Sequence, residues 1–520
     1  MPEALLQQKI YPYDGAYDAT KHPLLISPKD VVDSQNIIYT TYSTNKLRPG
    51  ISPAFPTRVP GNDRILSGID FWRLGVQREV IYNGFQIIAI DPSTGLFDVI
   101  SDSFACPIDD VVNFVAFQGL LIACFASGIS PKSWDGSGSM TDLSATAPNG
   151  AFARVWLNKL WMPDPSVPGR LRHSDTGTVN FTGGDSGTID LDPNDDDPDG
   201  LTAIFPVFFS NLYVTKRFSV YKIKPVILDS TGDLIFSPSK ISDGVGCISH
   251  NAVAASPGNL FFPSDEGMHY FASTDKISEI DSDDFSAAIS PLWVNQTNFK
   301  RSQYMHGIYS KELKSYLLLF PSFSALYPND LWGFSTVAKK WYRWQDYNQT
   351  CFFKYVDSTT KKLKTLVGSA QGDLGVIDAS VNTDYGIPLT LTLRSGLIAA
   401  AGSPNDQFSF QSITPLFVPQ TEGNFTLTYK IDGQTIETQT YDMSDDSLGD
   451  EVGEDFVIGE SVLGGLPQVV AETRTTQGQG MLYEILISHT GQPSGADGFE
   501  LLGLLVDVDK VSKKTGRTVA

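Results

Sequence analysis

Charge is scarce in this chain, and what there is leans acidic. Charged residues make up 19% of 520, with 38 Lys and Arg against 59 Asp and Glu, a formal net charge of -21. That balance argues against a general duplex-DNA binder, which needs a basic face to displace counterions. It is compatible with a wall that DNA slides past without sticking, and it keeps a large surface soluble. Cysteine is sparse too: Cys106, Cys124, Cys247 and Cys351 are scattered with no CxxC pair, which fits synthesis in a reducing compartment. Cys124 lies in the apolar run Leu120–Phe125 and reads as a buried thiol. The six histidines, His22, His173, His250, His269, His306 and His489, show no HxH or HExxH spacing, so they read as strand or turn residues and not as metal ligands. No apolar run approaches the roughly 20 residues that span a bilayer. The opening MPEALLQQKIYPYDGAY holds no apolar signal core. The expectation is a soluble chain with no membrane span that is not an ordinary secretory substrate. There is no GxSxG and no GxxxxGK[ST]. No catalytic residue, cofactor or enzymatic activity is assigned.

What the chain does have is turn residues and aromatic strands. It carries 45 Gly, 31 Pro, 41% hydrophobic and 11% aromatic residues, a mixture that suits many strands and turns better than long helices. The plan is clearest from Val207 to Phe271. There Phe208–Val214 turns through Lys216 and Arg217 into Ser219–Ile223, and Gly258–Phe262 turns through Asp265–Gly267 into Met268–Phe271. Aromatic and β-branched runs flanking polar turns are strand-turn-strand signatures. The unit recurs. Glu79–Ile90 has Asn83-Gly84 between apolar runs, a hairpin signal. Val115–Ala123, Val155–Met162, Ser315–Phe320 with Asp330–Phe334, Lys339–Trp344, Leu363–Gly368 and Asp373–Ile377 continue it. Leu120, Leu160, Leu212 and Leu260 fall 40, 52 and 48 residues apart, the period of a propeller blade. A four-stranded blade buries both faces against its neighbours, and aromatic residues fill that wedge.

The reading is therefore all-β: a six- or seven-bladed β-propeller over residues 61–385, with an additional antiparallel β-sandwich-like domain over 386–509. Residues 1–60 read as an extended arm with one strand at Asn36–Tyr42 and a turn at Leu47–Gly50, since the eight prolines there deny long helices. After about residue 385 the pattern turns to strict alternation, as in Pro388–Arg394 and Phe425–Ile431, the mark of half-buried antiparallel strands. Asp432-Gly433 marks a hairpin turn, and Tyr483–His489 and Phe499–Val508 complete the sheet. Residues 510–520 form a basic tail.

Few residues offer chemistry. Asp190, Asp192 and Asn194 have the alternate oxygen spacing of a calcium loop, but Asp195 stands where an EF-hand needs Gly and Leu201 where it needs Glu. The competing reading is a solvated loop between blades. The acidic run from Asp445 to Asp455 reads as an exposed loop. Trp332, Phe334, Trp341, Tyr342 and Trp344 could form a sugar platform, though alternation within a blade explains them more simply. A carboxylate pair for glycoside hydrolysis leaves no local motif.

Several segments together resemble a known family, the β-propeller proteins of short-tailed (podovirus-like) bacteriophages, of the tail nozzle and neck-stabilising type. They are Pro28–Tyr39 with Leu47–Gly50, Asn158–Trp161 running to Arg170–Asp175, the central pair of hairpins, and Gly498–Gly503. The resemblance is one of pattern without an invariant motif. It implies a structural virion protein, made in the host cytoplasm and placed in the tail, that forms a homohexameric ring through which DNA leaves. Its implied partners are further copies of itself, other tail or adaptor proteins, and exiting DNA touched transiently without sequence preference. A neck, head-to-tail adaptor ring of the same family is one alternative. A host-glycan-binding or glycan-cleaving propeller is the other.

Overall fold

The computed structural model describes residues 6–10, 16–27, 29–41, 44–61, 63–191, 200–208, 210–227, 234–272, 285–357, 360–399, 407–420, 422–444, 469–491 and 498–510. The chain divides into two compact units. One comprises residues 53–333 and 346–377, the other residues 1–52, 334–345 and 378–520.

Among the described residues the first unit is a β-propeller built on seven small sheets. Blade one runs through 67–73, 76–82, 87–90 and 97–99; blade two through 112–117, 120–125, 132–134 and 141–142; blade three through 154–156, 159–163, 170–173 and 187–190. Blade four holds 203–204, 212–215, 219–227 and 234–243, and blade five 254–256, 259–263 and 268–272. Blade six begins with 306–310 and 315–320, and blade seven with 349–356 and 363–369. The four recurring leucines all fall in the second strand of their blades, two through five. The hairpins before Leu120 and Leu160 turn through Gln118-Gly119 and Leu157-Asn158, with both central residues at positive φ, the turn whose twist matches the flanking strands. The predicted hairpin at Asn83-Gly84 forms with a four-residue connection, in which the Asn83 side chain accepts from the Phe85 and Gln86 amides. In blade four the strand begins at Leu212 and not at Phe208.

The blades are joined by shared cores. Leu160, Met162 and Ala153 of blade three pack with Phe117, Ile122 and Cys124 of blade two. Trp156 and Trp161 pack with Leu212, Val214 and Tyr221 of blade four. The ring closes where Ile81, Ile88 and Ile90 of blade one meet Cys351, Phe353 and Leu366 of blade seven. Burial on both faces is why strands such as Ile87–Ile90 are apolar at every position.

The second unit is a sandwich. One sheet holds 31–35, 390–395, 483–490, 424–431 and 434–442; the other is centred on 408–417 and 500–510 and includes 37–39 and 45–47. Aromatic rings fill the space between them: Phe410 stacks on Tyr429 at 5.5 Å, Phe417 meets Phe425 at 5.1 Å, and Phe499 meets Phe425 at 5.2 Å. The sequence reading set residues 1–60 apart as an arm, but strands 31–35, 37–39 and 45–47 belong to these two sheets. The single strand expected over Asn36–Tyr42 is broken at Asn36, whose φ is 55°. Asn tolerates that left-handed conformation, and here its side chain donates to Thr390 O (2.8 Å) and accepts from Arg48 Nε (2.8 Å). The chain thus steps from one sheet of the sandwich to the other at this residue.

Candidate functional site

The first strand of each blade lines the propeller axis, and there the structure has a cavity of about 430 Å³. Its wall includes Asp70 of blade one, Phe114 of blade two, Arg154 of blade three, Pro206 after the first strand of blade four, Tyr309 of blade six and Lys354 of blade seven. At one end Asn113 donates to Asn251 Oδ1 at 3.2 Å, and Asn113 in turn accepts from the Ala153 amide. Blade two is thereby tied to the turn before blade five, nearly opposite in the ring. A second cavity of about 210 Å³ shares Asn113 and Asn251 with the first and contains mostly apolar groups. The axis is thus interrupted by a polar bridge, and the larger cavity is a cup. Residues 299–304 reinforce that end, with Tyr304 donating to Asp109 O at 2.5 Å.

The cup is electrostatically unlike the rest of the chain. Arg154 spends its Nε on Ile204 O at 3.2 Å. Burial pulls its pKa down to about 10, so it stays charged at neutral pH. Burial, followed by the positive charges of Lys311 and Arg154, lowers the Lys354 ammonium. Among the described residues no carboxylate is ion-paired to Arg154 or Lys354. The one carboxylate on the wall, Asp70, accepts from Gln77 Nε2 (3.1 Å) and the Val356 amide (2.9 Å). The two histidines beside the cup are neutral. His306 is held down to about 4 by burial, and His250 is driven well below its ordinary value by burial and then by Arg154.

Asp70 also stands opposite Glu79 on the neighbouring strand. Burial, then the Asp70 charge, push Glu79 up to about 9. A carboxylic acid held protonated next to a second carboxyl is the electronic arrangement of a glycosidase pair, but Glu79 is 0% exposed and no sugar reaches it. Ser264 and His269 are hydrogen-bonded at 2.7 Å, yet both are buried, and Ser264 Oγ also accepts from the Glu266 and Gly267 amides of its own turn. That pair stabilises the hairpin.

The sequence candidates are dispersed. Asp190 pairs with Arg170 through two bonds of 2.6 and 3.0 Å; Asp192 and Asn194 lie outside the described residues, as does the acidic run at 445–455. Among the described residues no cluster of three metal-ligating side chains occurs. Trp332, Phe334, Trp341, Tyr342 and Trp344 are all buried, so they are core and not a sugar platform. Cys124, Cys247 and Cys351 are buried free thiols, pushed up to about 12 by that burial. No helix among the described residues is long and apolar enough to cross a membrane. Arg154 and Lys354 escaped sequence reasoning. Their signal is a lone cation in an otherwise apolar strand, Phe152-Ala-Arg-Val-Trp156 and Phe352-Phe-Lys-Tyr355, and only ring closure places the two in one cavity.

No family model matches the sequence, and no curated protein matches it. Among solved structures, the chain is similar to YCF48 from Cyanidioschyzon merolae, at 8% identity and a TM-score of 0.40 over 63% of this chain and 98% of that one. It is similar to virginiamycin B lyase from Staphylococcus aureus at 11% identity and a TM-score of 0.38, over 62% and 97% of the two chains. A chain of the mitotic checkpoint complex matches at 11% identity and a TM-score of 0.40, over 63% and 95%. The seven-sheet ring itself fixes the fold class.

Proposed function

We propose that this chain is a non-enzymatic structural component of the tail of a short-tailed bacteriophage, a subunit of the nozzle ring that forms part of the DNA exit conduit. The observation that supports this most is where the family-like segments lie. Strands 31–35, 37–39 and 45–47 near the start and the strand from Glu500 near the end are woven into one sandwich, with Asn45 and Lys46 paired to Leu501 and Glu500. Asn158–Trp161 and Arg170–Asp175 contribute to the second and third strands of blade three, where Lys159, 1% exposed, is tied to Asp185 at 2.8 Å. The segments that carry the resemblance thus hold the scaffold together, as expected of a wall built for rigidity.

In this reading the chain assembles as a homohexamer, contacts other tail or adaptor proteins, and meets exiting DNA with an acidic surface that repels it. The propeller's own axis is bridged by Asn113 and Asn251, so the conduit is the passage formed between copies. The test is immunogold labelling of the source virus particles with an antibody to this chain. Label at the distal tail is the expected result. Label at the neck moves the protein to the head-to-tail adaptor, and absence from the particles and from their mass spectrum overturns the virion assignment.

A further inference from the structure

We infer that the basic cup at the propeller axis, with Arg154 on blade three and Lys354 on blade seven, is a binding site for a small phosphate-bearing molecule. This does not depend on the tail assignment. Carboxylates outnumber cations in this chain, 59 to 38, so a partner for each axial cation was readily available. The fold instead holds two cations in the wall of one cavity and adds the charge of Lys311 nearby. Asp70, the only wall carboxylate among the described residues, has its two oxygens bonded to Gln77 and Val356. Mutually repelling cations in a partly enclosed space raise the energy of the empty site, and an anion lowers it.

The donor geometry narrows the anion. With Nε bound to Ile204 O, the two terminal nitrogens of Arg154 remain for a fork of parallel bonds to two oxygens of one group. A phosphate offers that pair and keeps a further oxygen and a further charge for Lys354, which a single carboxylate does not. The volume of about 430 Å³ suits a small molecule and not a polymer. The amide of Asn251 and the neutral His306 in the lining provide polar contacts for its uncharged part.

Isothermal titration of the full chain with inorganic phosphate and with pyrophosphate tests this. The expected result is saturable one-to-one binding, tighter for pyrophosphate. Lys354→Gln, which keeps a polar side chain of similar length and is checked for folding by circular dichroism, is expected to weaken it about tenfold. Arg154→Gln, checked for folding in the same way, is expected to weaken it further, and Lys224→Gln, an exposed lysine on the third strand of blade four, is expected to leave it unchanged. No saturable binding, or equal binding by wild type and Lys354→Gln, overturns the assignment. So does preference for a single-stranded oligonucleotide over pyrophosphate.

Discussion

Glu79 shows how far an environment can move one residue from its textual meaning. In the sequence it is one of many acids before an apolar run. In the fold it is wholly buried opposite Asp70, and burial and that neighbouring charge let it keep its proton up to about pH 9. The unfolded chain releases the same proton near the ordinary value of 4.5. Its contribution to stability is therefore fully present below about pH 4.5 and is lost as pH climbs through about 9. Glu79→Gln, which removes the ionisation, is expected to raise the melting temperature by several degrees at pH 8 and to change it little at pH 4.5. Equal shifts at both values would contradict a protonated Glu79. Asn36 teaches a related lesson: a residue that read as the start of a strand is the break in it, because its side chain and its tolerance of positive φ decide the path.

Hairpins are the scale at which this chain is most readable. The Leu-based repeat landed on the second strands of four blades because that strand is covered on both sides and is built mainly of buried apolar residues. The later change to alternation was equally legible. Asn424–Ile431 alternates between outward and buried positions because the sandwich buries one face of each sheet. What pairs of blades require of each other was not legible. Gly307, in the first strand of blade six, lies so close to the turn before blade five that an added Cβ would stand 2.0 Å from Ala252 O. Tyr316 donates to the same carbonyl at 2.8 Å. Gly307→Ala is expected to force this seam apart and cost about 2 kcal/mol in urea unfolding, whereas alanine at Gly75, with open space around it, bears only the strain of its positive φ. A neutral Gly307→Ala would show that the seam is looser than described.

Across the molecule, the informative contact is the one that ties the start of the chain to its second half. Arg48, 3% exposed, forms two bonds to Asp384 at 2.9 and 2.6 Å, donates to Asn36 and to Pro49 O, and lies under the Trp344 ring at 5.0 Å. Trp344 in turn donates to Ile37 O at 2.8 Å. Beside this clasp Gly50 admits no side chain, since a Cβ would meet Thr383 O at 2.2 Å. Breaking such a buried pair from one side leaves the partner carboxylate stranded. Arg48→Ala is expected to cost about 3 kcal/mol, at the low end for buried pairs because the Asp384 side chain keeps 21% exposure. Lysine is expected to recover only part of it, since the fork is lost. Denaturant titrations read both. A cost under about 0.5 kcal/mol would reduce the clasp to an ordinary surface pair.

By itself the sequence determined the all-β class, the repeating hairpins, the change from fully buried to half-buried strands and the acidic balance. Each of these is written in local composition and periodicity, over distances of a few residues to one blade. The tertiary structure alone decided the number of blades, the splitting of the opening segment between two sheets, the burial of the aromatic cluster and the meeting of Arg154 and Lys354 in one cup. The physical reason is sequence separation. A ring closes by bringing residues 67–73 beside 349–356, and no local pattern records which cation will stand opposite which once that closure is made.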